Sequence, residues 1–259
     1  MRLQRPPILI FAYYVGLVAL LYIPIAILFL FSINGNTSLA FPLQGFTLSW
    51  YQKLFQTPEV LQAARNSLVV ATGSSFAATI LGTMVSLLYV RFEFRLKNLL
   101  IALSILPLIV PYVVLAVALL ILFSVLHIER SLWTVGFAHT VISLPYALLI
   151  ISSRLAGFDA HLEEAAMDLG ADYMTTLRRV VLPMIFPAVV SAWLTSFTVS
   201  FDEFALALFL AGTQPTFPVY LFSQLRFASR LPIMIALAVL LMAGTLMLVF
   251  IGERIQRIQ

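Results

Sequence analysis

Six apolar runs, at 8–33, 66–90, 99–126, 132–153, 184–211 and 231–252, limit what this chain can become. Each is long enough to cross a hydrocarbon core about 30 Å thick, which takes roughly 20 residues of helix. Inside lipid every backbone amide and carbonyl must find a partner within the protein, so only helices and closed barrels span. A barrel strand would alternate in segments of about 10 residues, and these runs do not alternate. The expectation is an all-α polytopic membrane protein with six transmembrane helices. Composition agrees, with 62% hydrophobic and 10% charged residues, where a soluble domain carries about 25% charged.

The chain has no cysteine, which excludes disulfides, thiolate metal sites and cysteine nucleophiles. Its net charge of +4 comes from basic residues beside the spans, so it reports orientation and not nucleic-acid binding. The opening Met1 to Arg5 resembles the charged start of a signal peptide. The apolar stretch after it is too long for one and lacks a small-residue cleavage site, so it reads as a retained first span. With the N-terminus inside, the inner segments hold Arg2, Arg5, Arg91, Arg95, Lys97, Arg154, Arg178, Arg179, Arg254 and Arg257. The outer ones hold Lys53, Arg65, Arg130, Arg226 and Arg230. That excess places both termini in the cytoplasm.

The outer segment from Asn34 to Arg65 is polar and turn-rich, a link between a peripheral first span and a core of five. The expected organisation is a first span with outer linker at 1–60, a transmembrane domain at 61–252 and a tail at 253–259. In the second outer segment, Val219 to Ala228 is amphipathic and predicts a short surface helix. Within the second span, Ser74, Ala78, Gly82 and Ser86 recur at every fourth residue. That spacing puts small side chains on one face, a packing seam that lets another backbone approach. Pro107 and Pro111 free backbone groups and predict a kink in the third span. His139, Ser143 and Tyr146 form a polar stripe on the fourth span, read as interhelical hydrogen bonds. His127 and His161 lie in loops, and no acidic cluster with ligand spacing accompanies the histidines, so neither metal nor other cofactor is expected.

Between the fourth and fifth spans the hydrophobicity collapses. Leu162 to Leu169 predicts a short helix with Glu163, Glu164 and Asp168 on its exposed part. Gly170 supplies a tight or left-handed turn. Asp172 is placed to cap a second short helix, with Arg178 and Arg179 near its negative end. Leu182 and Pro183 open the fifth span, where a missing amide hydrogen is tolerated. The product is a stiff elbow over 163–183 whose Ala165 and Ala166 leave a shallow face for a partner's groove.

The order Glu164-Ala165-Ala166, Gly170, Val180, Leu182-Pro183 resembles the signature of the membrane subunits of binding-protein-dependent ABC importers, with Val180 in place of isoleucine. The resemblance covers roughly 61–252, and Asn66-Ser67-Leu68 is similar to the usual opening of that core. It implies a type I importer permease in a bacterial inner membrane, with a five-helix core and a cytoplasmic coupling-helix loop. It also implies a second permease subunit of different sequence, two ATP-binding subunits and an extracytoplasmic substrate-binding protein. Residues Glu163, Glu164, Ala165, Ala166, Asp168, Gly170, Leu182 and Pro183 would form the coupling surface for the ATPase. The chain itself would not be an enzyme, and it has no GxxxxGK[ST] run.

The cargo is hinted at by Asp202 and Glu203, acids in an apolar span, where a charge costs about 2.5–3.5 kcal/mol at the centre. They lie roughly 22 Å along the helix from Pro187, towards its outer end. Ser191, Thr195, Thr198 and Asp202 share one stripe, with Trp193, Phe197, Phe201 and Phe204 opposite. Asp202, Glu203, Thr198 and Thr195 are therefore candidates for a hydrated pathway that favours a cation. The alternative is a latch between these acids and Arg226 or Arg230. The run from Ser200 to Phe204 is similar to the second membrane subunit of spermidine/putrescine permeases. Related permeases for opines, aminophosphonates or ferric iron share such segments. A stand-alone carrier would show two related halves, and an intramembrane enzyme would need more than Ser143 beside His139.

Overall fold

The computed structural model describes residues 8–37, 39–157, 159 and 161–257. The segment Met1 to Arg5 lies outside the described residues. The helices are α1 (Ile8–Ser32), α2 (Ser49–Phe55), α3 (Pro58–Arg91), α4 (Lys97–Ile105), α5 (Tyr112–Val125), α6 (Leu132–Ala156), α7 (His161–Asp168), α8 (Tyr173–Thr176), α9 (Leu182–Asp202), α10 (Ala205–Leu210), α11 (Phe217–Gln224) and α12 (Leu231–Arg257). Among the described residues the β content is one isolated bridge, Asn34 with Phe46. The all-α reading holds.

The helices fall into two compact units, one of residues 1–60 and 221–244, the other of 61–220 and 245–259. In the first, Phe31 at the end of α1 packs with Ile235 and Val239 of α12. The linker after α1 is held by a buried asparagine. Asn34 Oδ1 accepts from the Gln44 amide at 3.0 Å, and its carbonyl accepts from Trp50 Nε1 at 2.7 Å. Tyr51 hydroxyl adds a 2.8 Å bond to Ser32 Oγ.

The second unit is built around α6, whose Val135, Ala138, His139, Ile142, Ser143, Ala147, Leu148, Ile151 and Leu155 are all buried. Lipid tails are as apolar as leucine, so close packing and interhelical hydrogen bonds hold such helices together, at about 0.6 kcal/mol per polar pair. The small-residue seam of α3 shows both. A Cβ on Gly82 would lie 2.6 Å from Ala147 Cβ. Ser86 Oγ donates to the Leu148 carbonyl at 3.1 Å, and Ser74 Oγ meets Ser200 Oγ at 2.8 Å. Asn66 and Ser67, near the other end of α3, hold the loop before α11: Asn66 Nδ2 donates to the Pro215 carbonyl at 3.0 Å, and Ser67 Oγ accepts from the Phe217 amide at 2.8 Å.

Two of the six expected spans are not continuous helices. Among the described residues five helices are long and apolar enough to cross, and the pair 97–108 and 112–125, bent by 108°, makes a sixth when taken as one broken span. The kink expected over 99–126 is thus a full break. α4 runs into a 3-10 turn at Leu106–Leu108, and Pro111 restarts the chain with φ −56° and ψ 132°. Neither proline has an amide hydrogen to carry the ladder across.

The run 184–211 also divides. α9 stops at Asp202, Glu203 is extended at φ −71° and ψ 125°, and α10 begins two residues later. The expected surface helix at 219–228 lies instead at Phe217–Gln224.

Candidate coupling elbow and buried polar seam

The elbow is a helix, a glycine turn and a second helix. α7 ends in a paired terminal motif: the Gly170 amide donates to the Met167 carbonyl at 2.9 Å and the Ala171 amide to the Ala166 carbonyl at 3.1 Å. Gly170 sits at φ +90°, which a side chain resists, so glycine is needed at this corner. Asp172 Oδ1 then accepts from the Thr175 amide at 3.0 Å and caps α8. That bond holds the Asp172 carboxyl below the usual carboxylate range. At the other end His161, read as a loop residue, opens α7. Its Nδ1 lies 2.6 Å from Asp159 Oδ1. The contact raises the imidazole pKa and lowers that of the acid.

Between α8 and α9 the chain makes a π-helical turn, Leu177–Val181, closed by the Leu182 amide on the Leu177 carbonyl. Pro183, next in line, has no amide to offer Arg179. This turn joins the elbow directly to the fifth span.

The predicted elbow residues separate into two groups. Glu164, Ala165, Asp168 and Gly170 are exposed, Ala166 is partly so, and Leu182 and Pro183 are exposed at the start of α9. Glu163 is turned inward and forms an ion pair with Arg91, the last residue of α3. The expectation that it stands exposed beside Glu164 is corrected: one helical step of about 100° carries it to the face that meets α3. Leu162, Met167, Leu169, Tyr173 and Met174 are exposed large apolar residues on the same elbow, Leu169 at 90%. The sequence reading passed over them because it weighed the charged positions. Their signal was available in the apolar residues that persist where neighbouring hydrophobicity collapses.

The second constellation lies inside the helix bundle. His139 is 1% exposed. Its Nδ1 lies 2.8 Å from Ser200 Oγ, which meets Ser74 Oγ, and its Nε2 lies 3.3 Å from Glu203 Oε2. Three helices, α3, α6 and α9, thus converge on one polar seam. Glu203 is 6% exposed, and its oxygens accept from the Leu206 and Ala207 amides at 2.9 to 3.2 Å. Its carboxylate supplies the acceptors that the interrupted helix no longer provides to α10.

The stripe read on the fourth span behaves as interhelical bonding. His139 bonds to Ser200 as above, Ser143 Oγ reaches the Ser196 carbonyl at 3.5 Å, and Tyr146 hydroxyl meets Tyr112 hydroxyl at 3.3 Å. Asp202 is exposed at the end of α9, while Thr195 and Thr198 are half-buried. Thr198 Oγ1 donates to the Leu194 carbonyl at 3.0 Å. The aromatics form a ladder, Phe76 on Trp193 at 5.4 Å, Trp193 on Phe197 at 6.0 Å and Phe197 on Phe201 at 5.8 Å. Of the basic residues suggested for a latch, Arg226 Nε donates to the Ser223 carbonyl, and Arg230 Nη1 to Gln224 Oε1. Among the described residues no group of three or more His, Asp or Glu could hold a metal ion.

An exposed elbow joined through a glycine corner to a transmembrane helix is the arrangement that the sequence signature implied. Residues 78–258 match the family model described as the binding-protein-dependent transport system inner membrane component. The chain belongs to this family. It is 36% identical over 240 residues to the spermidine/putrescine transport system permease protein PotC of Escherichia coli (strain K12), covering 92% of this chain and 90% of that one. It is 35% identical over 240 residues to the putrescine transport system permease protein PotI of the same strain, covering 90% and 85%. Its fold is similar to a chain in the crystal structure of a bacterial ABC transporter involved in the import of the acidic polysaccharide alginate. The TM-score there is 0.73 at 16% identity, with 95% of each chain covered. This family member is a multi-pass protein of the inner membrane.

Proposed function

We propose that this chain is one of two different permease subunits of an ATP-driven importer of polyamines. A substrate-binding protein delivers cargo to its outer face, and two ATP-binding subunits grip the elbow from the cytoplasm. ATP is hydrolysed in those subunits. The observation that carries the reading is the elbow, an exposed α7 with Glu164, Ala165 and Ala166 at its surface, joined through Gly170 and the π-helical turn to α9. Exposed Leu162, Met167, Leu169, Tyr173 and Met174 give a partner apolar area to bury. Both termini lie in the cytoplasm.

The cargo is assigned from the two polyamine permease relatives and from Asp202. Its carboxylate is exposed at the end of α9, where it attracts a cation. Thr195 and Thr198 line the same side of the pathway. Glu203 belongs to the pathway through the break that it stabilises, with its own carboxylate committed to α10 and His139.

Reconstitution with the second permease, the ATPase and the binding protein tests this directly. Vesicles with ATP and magnesium on the elbow side are expected to import labelled spermidine or putrescine saturably. Import by this chain alone, or import of an oxyanion in place of a polyamine, overturns the reading. Orientation is read separately. The chain has no cysteine, so Asp168→Cys in intact cells should resist an impermeant thiol reagent.

A further inference from the structure

Glu163 and Glu164 are neighbours in sequence with different surroundings. Glu164 is exposed, whereas the Glu163 side chain keeps 14% of its exposure and that of Arg91 keeps 17%. The space beside their ion pair is lined by Leu87, Tyr173, Thr176, Leu177 and Val181. Phe92, one residue past α3, meets Tyr173 of α8 edge-on at 6.2 Å. The inner end of α3 therefore touches both arms of the elbow, and the ion pair is enclosed where water screens it poorly.

We infer that Arg91 and Glu163 form an internal tie that makes α3 a second route for force from the elbow, alongside the covalent route into α9. The inference rests on the coupling reading above. α3 is one helix of 34 residues. From Arg91 it runs past Ser86 and Gly82, which lock it to α6, to Ser74, which bonds to Ser200 of α9. Those 17 residues span roughly 26 Å of rigid helix. Movement of α7 would then reach the buried polar seam both through α9 itself and through the neighbour bonded to it. Glu163 is a positioning residue in this scheme. It acts on α3 and does not touch the ATPase.

The test uses the full reconstituted complex and reads solute imported per ATP hydrolysed, together with the amount of ATPase that copurifies. Glu163→Gln and Arg91→Gln are each expected to lower that ratio about fivefold or more, the scale of an allosteric coupling energy, with the ATPase still bound. The exchanged pair, Glu163→Arg with Arg91→Glu, is expected to restore at least part of it. An unchanged ratio in Glu163→Gln overturns the tie. So does loss of the ATPase in Glu163→Gln but not in Arg91→Gln, because Glu163 would then be a partner contact.

Where the exchanged pair fails to assemble, Glu163→Cys with Arg91→Cys keeps the question answerable in a complex whose partners also lack cysteine. Bridging the two thiols with a short bifunctional reagent should raise the ratio, and no rise overturns the tie. The coupling reading fails differently, since the unaltered complex would then import without hydrolysing ATP.

Discussion

The third and fifth spans are both interrupted inside the bundle, but by different chemistry. The third is broken by Pro107 and Pro111, which lack the amide hydrogen that a continuous helix needs. The fifth contains no proline or glycine at its break. It is broken at Glu203, whose carboxylate accepts the Leu206 and Ala207 amides in place of backbone carbonyls. The first interruption is fixed covalently. The second depends on one side chain being present, buried and partnered by His139, so it is the more fragile of the two.

The sharpest way to break that comparison is Glu203→Ala. It removes the acceptor for two amides and leaves His139 without its acid. Each buried amide left without its acceptor costs about 1–3 kcal/mol, so with two of them orphaned the purified subunit should lose much of its thermal stability, read by a scan in detergent. Glu203→Gln keeps one carbonyl oxygen and should cost less, about 1–3 kcal/mol, measured in the same scan. Equal losses would mean that the charge matters and the hydrogen bonds do not.

Asp202→Asn sharpens the contrast between neighbouring acids. It should leave the melting transition in place while weakening polyamine uptake severalfold, seen as a raised KM in vesicles. Pro111→Ala addresses the other break. Alanine adopts the observed φ and ψ, so the effect should be small, below about 1 kcal/mol, with the bend preserved. A straightened third span, seen as a new register of thiol cross-links between α4 and α5, would show that proline alone held it.

The smallest effect belongs outside the membrane. The Asp172 pKa is lowered by its bond from Thr175. Its cap is therefore fully present above the ordinary carboxylate value near 3.8 and is lost as pH falls through the lowered one. Faster exchange of the Thr175 amide in Asp172→Ala, with uptake little changed, would confirm that the cap is local.

This difference in chemistry also governs what could be read before the structure was known. Hydrophobic length located the spans, and proline marked the third as bent, though not as broken, because the angle depends on what packs against the two halves. Gly170 and Asp172 were legible as a corner and a cap because their roles are local and backbone-driven. The break at Glu203 was not legible. Nothing in Ser200-Phe201-Asp202-Glu203-Phe204 forbids a helix, and only burial against His139 reveals why the chain leaves one. Likewise Glu163 and Glu164 look alike in sequence, and the partner that distinguishes them, Arg91, is 72 positions away along the chain. Long-range pairing of that sort leaves no periodic trace.

One consequence of the π-helical turn concerns where bending collects. A rod with a single compliant joint flexes at that joint. Because Pro183 offers no hydrogen to the carbonyl of Arg179, no thermal fluctuation can anneal this stretch into seamless α-helix. Bending is thus expected to collect at this turn, just below a helix, Leu182–Asp202, that carries a proline of its own at Pro187.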